Sequence, residues 1–159
     1  MPLPSKKHVA AVPLFERLSD RKPEQPREPV PLRTLSYPEL LDSVRGEVTR
    51  LLNTRSGLAS HELLERERSV IDFGATDLLW VNPFDPESMR HLTRLLVQTI
   101  EKFEPRLAHP RVTIVQFVQT ESRLILQVSG TLVMEQLREP VSFRVTASPR
   151  LLEHRSDEQ

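Results

Sequence analysis

The chain contains no cysteine, which excludes disulfides, thiolate nucleophiles and thiolate metal ligands. That composition suits a reducing compartment. Glycine is also scarce: four in 159 residues, at 46, 57, 74 and 130. They are too widely separated for a GxGxxG turn or a GxxxxGK(S/T) phosphate loop, and no GxSxG elbow is present. Charge of neither sign dominates. Lysine plus arginine number 22 and aspartate plus glutamate number 22, so no global field steers the chain toward nucleic acid or an anionic membrane. No apolar run approaches the roughly 20 residues needed to cross a bilayer. The short run Val9 to Val12 is too brief for the apolar segment of a signal peptide. A cytoplasmic protein without direct membrane insertion is the expectation.

Catalytic and metal chemistry finds little support. The histidines stand at 8, 61, 91, 109 and 154, with no metal-ligand spacing and no HExxH. Glu62, Glu65 and Glu67 lie close together, as do Asp85 and Glu87, but all occupy highly charged or capping contexts. Nothing there separates the pKa values of two carboxylates, as acid–base glycoside hydrolysis requires. Arginines 45, 50, 55, 66, 68, 90 and 94 are interrupted by acidic residues and carry no helix-turn-helix or single-strand signature. The expectation is therefore no catalytic residue, cofactor, metal, small-molecule substrate or nucleic-acid partner.

Proline, by contrast, is abundant where the chain begins. Eight prolines fall within residues 1 to 38. Each removes an amide donor and obstructs a helix. Residues 1–35 read as a flexible arm, interrupted by Leu14-Phe15-Glu16-Arg17-Leu18. Leu14, Phe15 and Leu18 fit one face of a single helical turn, a pattern suited to a docking segment that orders on contact.

Residues 36–148 read as one domain and 149–159 as a charged tail. Leu40, Leu41, Val44, Val48, Leu51 and Leu52 recur at helical spacing after Pro38. A second helix begins at Pro86 with Asp85 as its N-cap; Met89, Leu92, Leu95, Leu96, Ile100 and Phe103 form its stripe. Between them, Ser69–Gly74 reads as a short extended segment, and Trp80 as a packing residue. The period then changes to two. Arg111–Gln119 places Val112, Ile114 and Val118 on one side, with Val115 and Phe117 on the other. Alternation resumes over Leu124–Leu132, with Gly130 at a bend or bulge, and again at Val141, Phe143 and Val145. Turns at 120–122 and 137–140 would join them. The fold class is α+β: two principal helices on a mainly antiparallel sheet of about three strands, with a proline-rich N-terminal arm.

The most unusual local pattern is Phe103-Glu104-Pro105-Arg106-Leu107. Phe103 anchors a helix end, Pro105 fixes its exit, and Glu104 and Arg106 are held at a rigid corner. An arginine fork and a carboxylate are matched in geometry, although the two need not pair with each other. Such a corner either staples its own sheet to the helix or receives a partner; the residues alone leave both open.

Four segments in order, 14–18, Leu51-Leu52-Asn53-Thr54-Arg55, Ser69–Gly74 and Phe103–Leu107, followed by the strands to about 147, resemble the TssE family of type VI secretion baseplate subunits. That family is related to phage baseplate wedge and sheath-initiator proteins and once carried a lysozyme-like label. The resemblance implies a structural protein that binds TssF-like and TssG-like wedge subunits and starts or anchors the contractile sheath. It places the chain in the cytoplasm near the inner membrane of a Gram-negative bacterium. It also implies docking through Leu14, Phe15 and Leu18, recognition at Glu104, Pro105 and Arg106, and structural roles for Phe73, Gly74 and Phe103. Asp72 and Phe73 stand where the family pattern more often reads asparagine and tyrosine. The alternatives are a small peptidoglycan hydrolase and an independent protein–protein adaptor.

Overall fold

The computed structural model describes residues 8–11, 24, 34–77, 82, 84–121, 123–134 and 137–148. The docking motif at 14–18, Trp80 and the tail at 149–159 lie outside these residues.

Strand β1 (His8–Ala11) pairs antiparallel with β2 (Thr34–Ser36), which leads directly into helix α1 (Tyr37–Asn53). The expected arm over 1–35 thus contributes a strand before its prolines gather. Backbone pairing to β2 supplies the order that its own sequence does not. Ser36 caps α1 in a capping box with Glu39: the Ser36 amide donates to Glu39 Oε2 at 2.8 Å. Pro38 lies in the first turn, where its missing amide costs nothing. The short helix α2 (Glu62–Glu65) follows, then a 3-10 turn at Val70–Asp72, then α3 (Pro86–Phe103). Asp85 caps α3 by accepting from the amides of Glu87 and Ser88, as its sequence position implies.

Strands β3 (Leu107–Val118), β4 (Arg123–Met134) and β5 (Leu137–Ala147) form an antiparallel sheet in the order β3-β4-β5. The two long helices cover one face. Leu40, Val44, Val48, Leu51 and Leu52 of α1 and Leu92, Leu96 and Ile100 of α3 meet Leu124, Leu126, Val128, Leu132, Val141, Phe143 and Val145 in one core. Two helices on a three-stranded antiparallel sheet is the α+β class the periodicities imply.

Two expectations about the sheet are corrected and a third, the bulge at Gly130, is met. Val115 is the extra residue of a bulge between Ile114, opposite Leu126, and Gln116, opposite Ile125. One inserted residue moves everything after it to the other face. Phe117 therefore packs toward the core with Val112 and Ile114, while Val115 is exposed. Gly130 does mark a bulge, as its position implies: it pairs in regular register with Val141 on one side, and on the other it stands opposite the irregularity in β3 between Ala108 and Arg111. There His109 takes φ 51°. Glycine is favoured at 130 because a Cβ would lie 2.9 Å from Leu107 Cδ1 and 3.0 Å from the Ala108 carbonyl. Finally, residues 137–140 belong to β5 rather than to a turn, with Met134 opposite Leu137.

Ser69–Gly74 is likewise not extended. Ser69 and Asp72 make a second capping box around the 3-10 turn, with the Ser69 amide donating to Asp72 Oδ2 at 2.8 Å.

Candidate functional site

The corner after α3 is built from backbone outward. Glu104 ends the helix, its amide donating to the Ile100 carbonyl at 2.8 Å. Pro105 turns the chain out at the exposed apex. The Leu107 amide then donates to the Glu104 carbonyl at 3.0 Å, and the Val133 amide to the Arg106 carbonyl at 2.8 Å, so the corner is stitched to β4.

Side chains complete it. Glu104 is only 1% exposed. It accepts two parallel bonds from Arg106, from Nε at 2.8 Å and from Nη2 at 2.7 Å, and one from the Arg106 amide at 3.2 Å. Arg106 Nη1 donates to Ser43 Oγ of α1 at 2.9 Å. The bidentate fork explains the spacing: two residues apart around a proline turn, the guanidinium lies flat against the carboxylate. The pair thus ties α1, α3 and β3 together. Glu104 faces inward and is not available to touch another chain in this conformation. Pro105, and the half-buried Arg106 beside it, form the surface of the corner.

Phe103, one residue earlier, is half-buried rather than a fully enclosed anchor, and its ring meets two other side chains. The Arg68 guanidinium sits 4.7 Å from its centroid, and Phe73 meets it edge-on at 5.4 Å and 68°. Arg50 approaches the Phe73 ring at 5.8 Å. Arg68, which sequence reasoning treats as one more surface arginine, is 6% exposed. Its Nη1 donates to Thr99 Oγ1 at 2.8 Å; its Nη2 donates to the carbonyls of Asp72 at 3.0 Å and Gly74 at 2.5 Å. Burial holds the Arg68 pKa below the ordinary arginine value, opposed by the nearby charge of Asp72. Asp72 is held below the usual carboxylate range chiefly by the Ser69 amide; burial opposes this, and the Ser69 hydroxyl, Arg66 and Arg68 add to it.

Gly74 sits at φ 128° against the chain leaving α1. The Ala75 amide donates to the Thr54 carbonyl at 2.8 Å, and the Ser56 amide to the Ala75 carbonyl at 2.8 Å. A Cβ at 74 would approach the Thr54 oxygen to 2.6 Å. Phe73, Gly74 and Phe103 are thus gathered around Arg68, and Glu104, Pro105 and Arg106 continue the same corner. The 3-10 turn that Arg68 and Asp72 hold presents Val70 and Ile71 outward, at 85% and 83% exposure.

No short-range signal marks Arg68, whose partner Thr99 is 31 residues away, or Ser43, 63 residues from Arg106. Two of the carboxylates considered for catalysis serve local structure. Asp85 caps α3, and Glu62 accepts from the Ala59 amide at 2.8 Å. Among the described residues no group of three or more His, Asp or Glu could hold a metal ion, and no helix is long and apolar enough to cross a membrane.

Residues 38–137 match the family model described as baseplate wedge protein gp25. The match contains the corner, the Arg68 cluster, both long helices and most of the sheet. A search of curated proteins finds no match. Among solved structures, a chain from one titled "The baseplate complex from the type VI secretion system" is similar, with 19% identity and a TM-score of 0.49. The alignment covers 70% of this chain and 96% of that one.

Proposed function

The chain belongs to the baseplate wedge protein gp25 family, and from that premise we propose that it is the TssE-like subunit of a type VI secretion baseplate. In this reading it is a structural protein of the cytoplasm, positioned near the inner membrane. It joins TssF-like and TssG-like wedge subunits to the contractile sheath. The observation that carries the reading is the family match over residues 38–137, because the rigid corner falls inside it.

Three surfaces divide the work. Leu14, Phe15 and Leu18 dock the arm onto a wedge subunit. Pro105 and Arg106 offer the corner, with Glu104 fixing the arginine from within, and Val70 and Ile71 add an apolar contact nearby. The sheath is met at an edge of the sheet. Both β3 and β5 are edge strands, but they differ. Each contains a proline, Pro110 in β3 and Pro140 in β5, but β3 also carries two irregularities, whereas β5 keeps unbroken register with β4 from Leu137 to Ala147. A straight edge is the better template for an added strand. Asn53 closes the end of β5: its Nδ2 donates to the Thr146 carbonyl at 2.7 Å and its Oδ1 accepts from the Ser148 amide at 3.0 Å. The edge from Leu137 to Arg144 is the stretch proposed for the sheath.

The test is made in cells producing a fluorescent sheath subunit. Deleting this chain should abolish sheath assembly, and restoring it should return it. Sheaths of normal number and length in the deletion strain would refute the role.

A further inference from the structure

The helices cover one face of the sheet, and the other carries charge of a single sign. Strand alternation points Arg111 and Thr113 of β3, Arg123, Gln127, Ser129 and Thr131 of β4, and Arg138, Ser142 and Arg144 of β5 away from the core. No aspartate or glutamate occupies an outward position of these three strands. Glu139, the one acidic residue within them, alternates with the outward set and lies beside Tyr37 of α1, whose pKa is raised by burial and by that carboxylate. Arg123 is paired with Glu121 at 3.0 Å. Arg111, Arg138 and Arg144 make no ion pair among the described residues. In a chain with 22 basic and 22 acidic residues, this segregation is local.

The register brings the neutral groups between the arginines. Arg111 pairs with Ser129, which pairs with Ser142; Thr113 pairs with Gln127, which pairs with Arg144. Gln127 Nε2 donates to Ser142 Oγ at 2.7 Å. An open depression lies here, lined by His109, Arg111, Ser129, Thr131, Pro140 and Ser142 among others. The Gly130 backbone forms part of its floor. Adjacent strands are about 4.8 Å apart, so Arg111 and Arg144 flank the polar centre at roughly 10 Å across the sheet.

We propose that this outward face is a docking surface for an acidic segment of a partner protein. Guanidinium forks match carboxylates bidentately, and the intervening hydroxyls and amide serve the segment's backbone. Single-stranded nucleic acid is a poorer fit, because no aromatic residue stands at an outward position to stack a base. The surface is the sheet's face, not its edge, and the inference stands independently of the baseplate reading.

The experiment uses the full chain and a fluorescein-labelled peptide of alternating glutamate and serine, with binding read by anisotropy at low and moderate salt. The wild type should bind, more weakly as salt rises. R111E/R144E should weaken binding about tenfold or more and should bind the matching lysine–serine peptide instead. R90E/R94E, which reverses two exposed arginines on α3, should leave binding unchanged. Thermal melts establish that each variant folds; R111Q/R144Q replaces the reversal if it does not, with the same loss expected. Three outcomes overturn the proposal: no binding by the wild type, an equal loss in R90E/R94E, or tighter capture of single-stranded DNA or phosphatidylserine vesicles through the same arginines.

Discussion

The Arg68 guanidinium lies 4.7 Å from the centroid of the Phe103 ring while donating to Thr99 and to the carbonyls of Asp72 and Gly74. One side chain thereby fastens the end of α3 to the loop that carries Val70 and Ile71. Replacing it with alanine removes three hydrogen bonds and a cation–π contact, a loss of about 2–4 kcal/mol. Urea denaturation of Arg68→Ala checks this. Arg68→Lys should recover part of the loss, since an ammonium keeps the charge but cannot span all three acceptors. Wild-type stability in the alanine variant contradicts the assignment.

Glu104 and Arg106 should behave as one unit. Glu104→Ala leaves Arg106 facing a void and should cost roughly 3 kcal/mol. Arg106→Ala leaves a buried carboxylate unpaired and should cost a similar amount. In the double variant the two losses should be far from additive, and a double-mutant cycle on urea midpoints measures the coupling. Strict additivity would show that the fork contributes nothing to the fold.

Asp72 gives the fold a pH dependence of defined sign. Its carboxyl is held below the ordinary value, mainly by the Ser69 amide, so the folded state favours the ionised form. Its stabilisation is complete above the unfolded value of about 3.9 and is lost as pH falls through the lower folded value. Asp72→Asn should melt below the wild type at neutral pH, and the gap should close in acid. A gap that is constant with pH contradicts a role through ionisation.

Glycines 74 and 130 are needed for different reasons. Gly74→Ala meets both positive φ and a backbone oxygen, and should cost about 2–4 kcal/mol. Gly130→Ala meets mainly the Leu107 side chain, which has some freedom to shift, and should cost roughly 1–3 kcal/mol. Thermal melts of the two variants should preserve that order.

The long helices and three strands were legible because their apolar spacing is local and repeated. Ser36, Pro38, Asp85 and Pro86 act within one turn of where they stand. The bulge at Val115 was not legible, because alternation looks unbroken through a single inserted residue and the partner strand decides which residue is left over. For that reason alone the alternation puts Phe117 on the wrong face. At the corner, Glu104, Pro105 and Arg106 were recognisable as a rigid turn. Their tie to Ser43 depends on how α1 crosses the sheet. Arg68 was hidden by the same distance, and by its setting in a polar stretch where arginine is ordinarily solvated.

The most direct measurement of the central claim is co-expression of this chain with TssF-like and TssG-like proteins, followed by affinity purification and size-exclusion chromatography. The account predicts one stable complex containing all three. It also predicts that Leu14→Ala/Phe15→Ala releases this chain while leaving its thermal melt unchanged. A wedge complex that assembles without it, or a double variant retained as firmly as the wild type, would contradict the account.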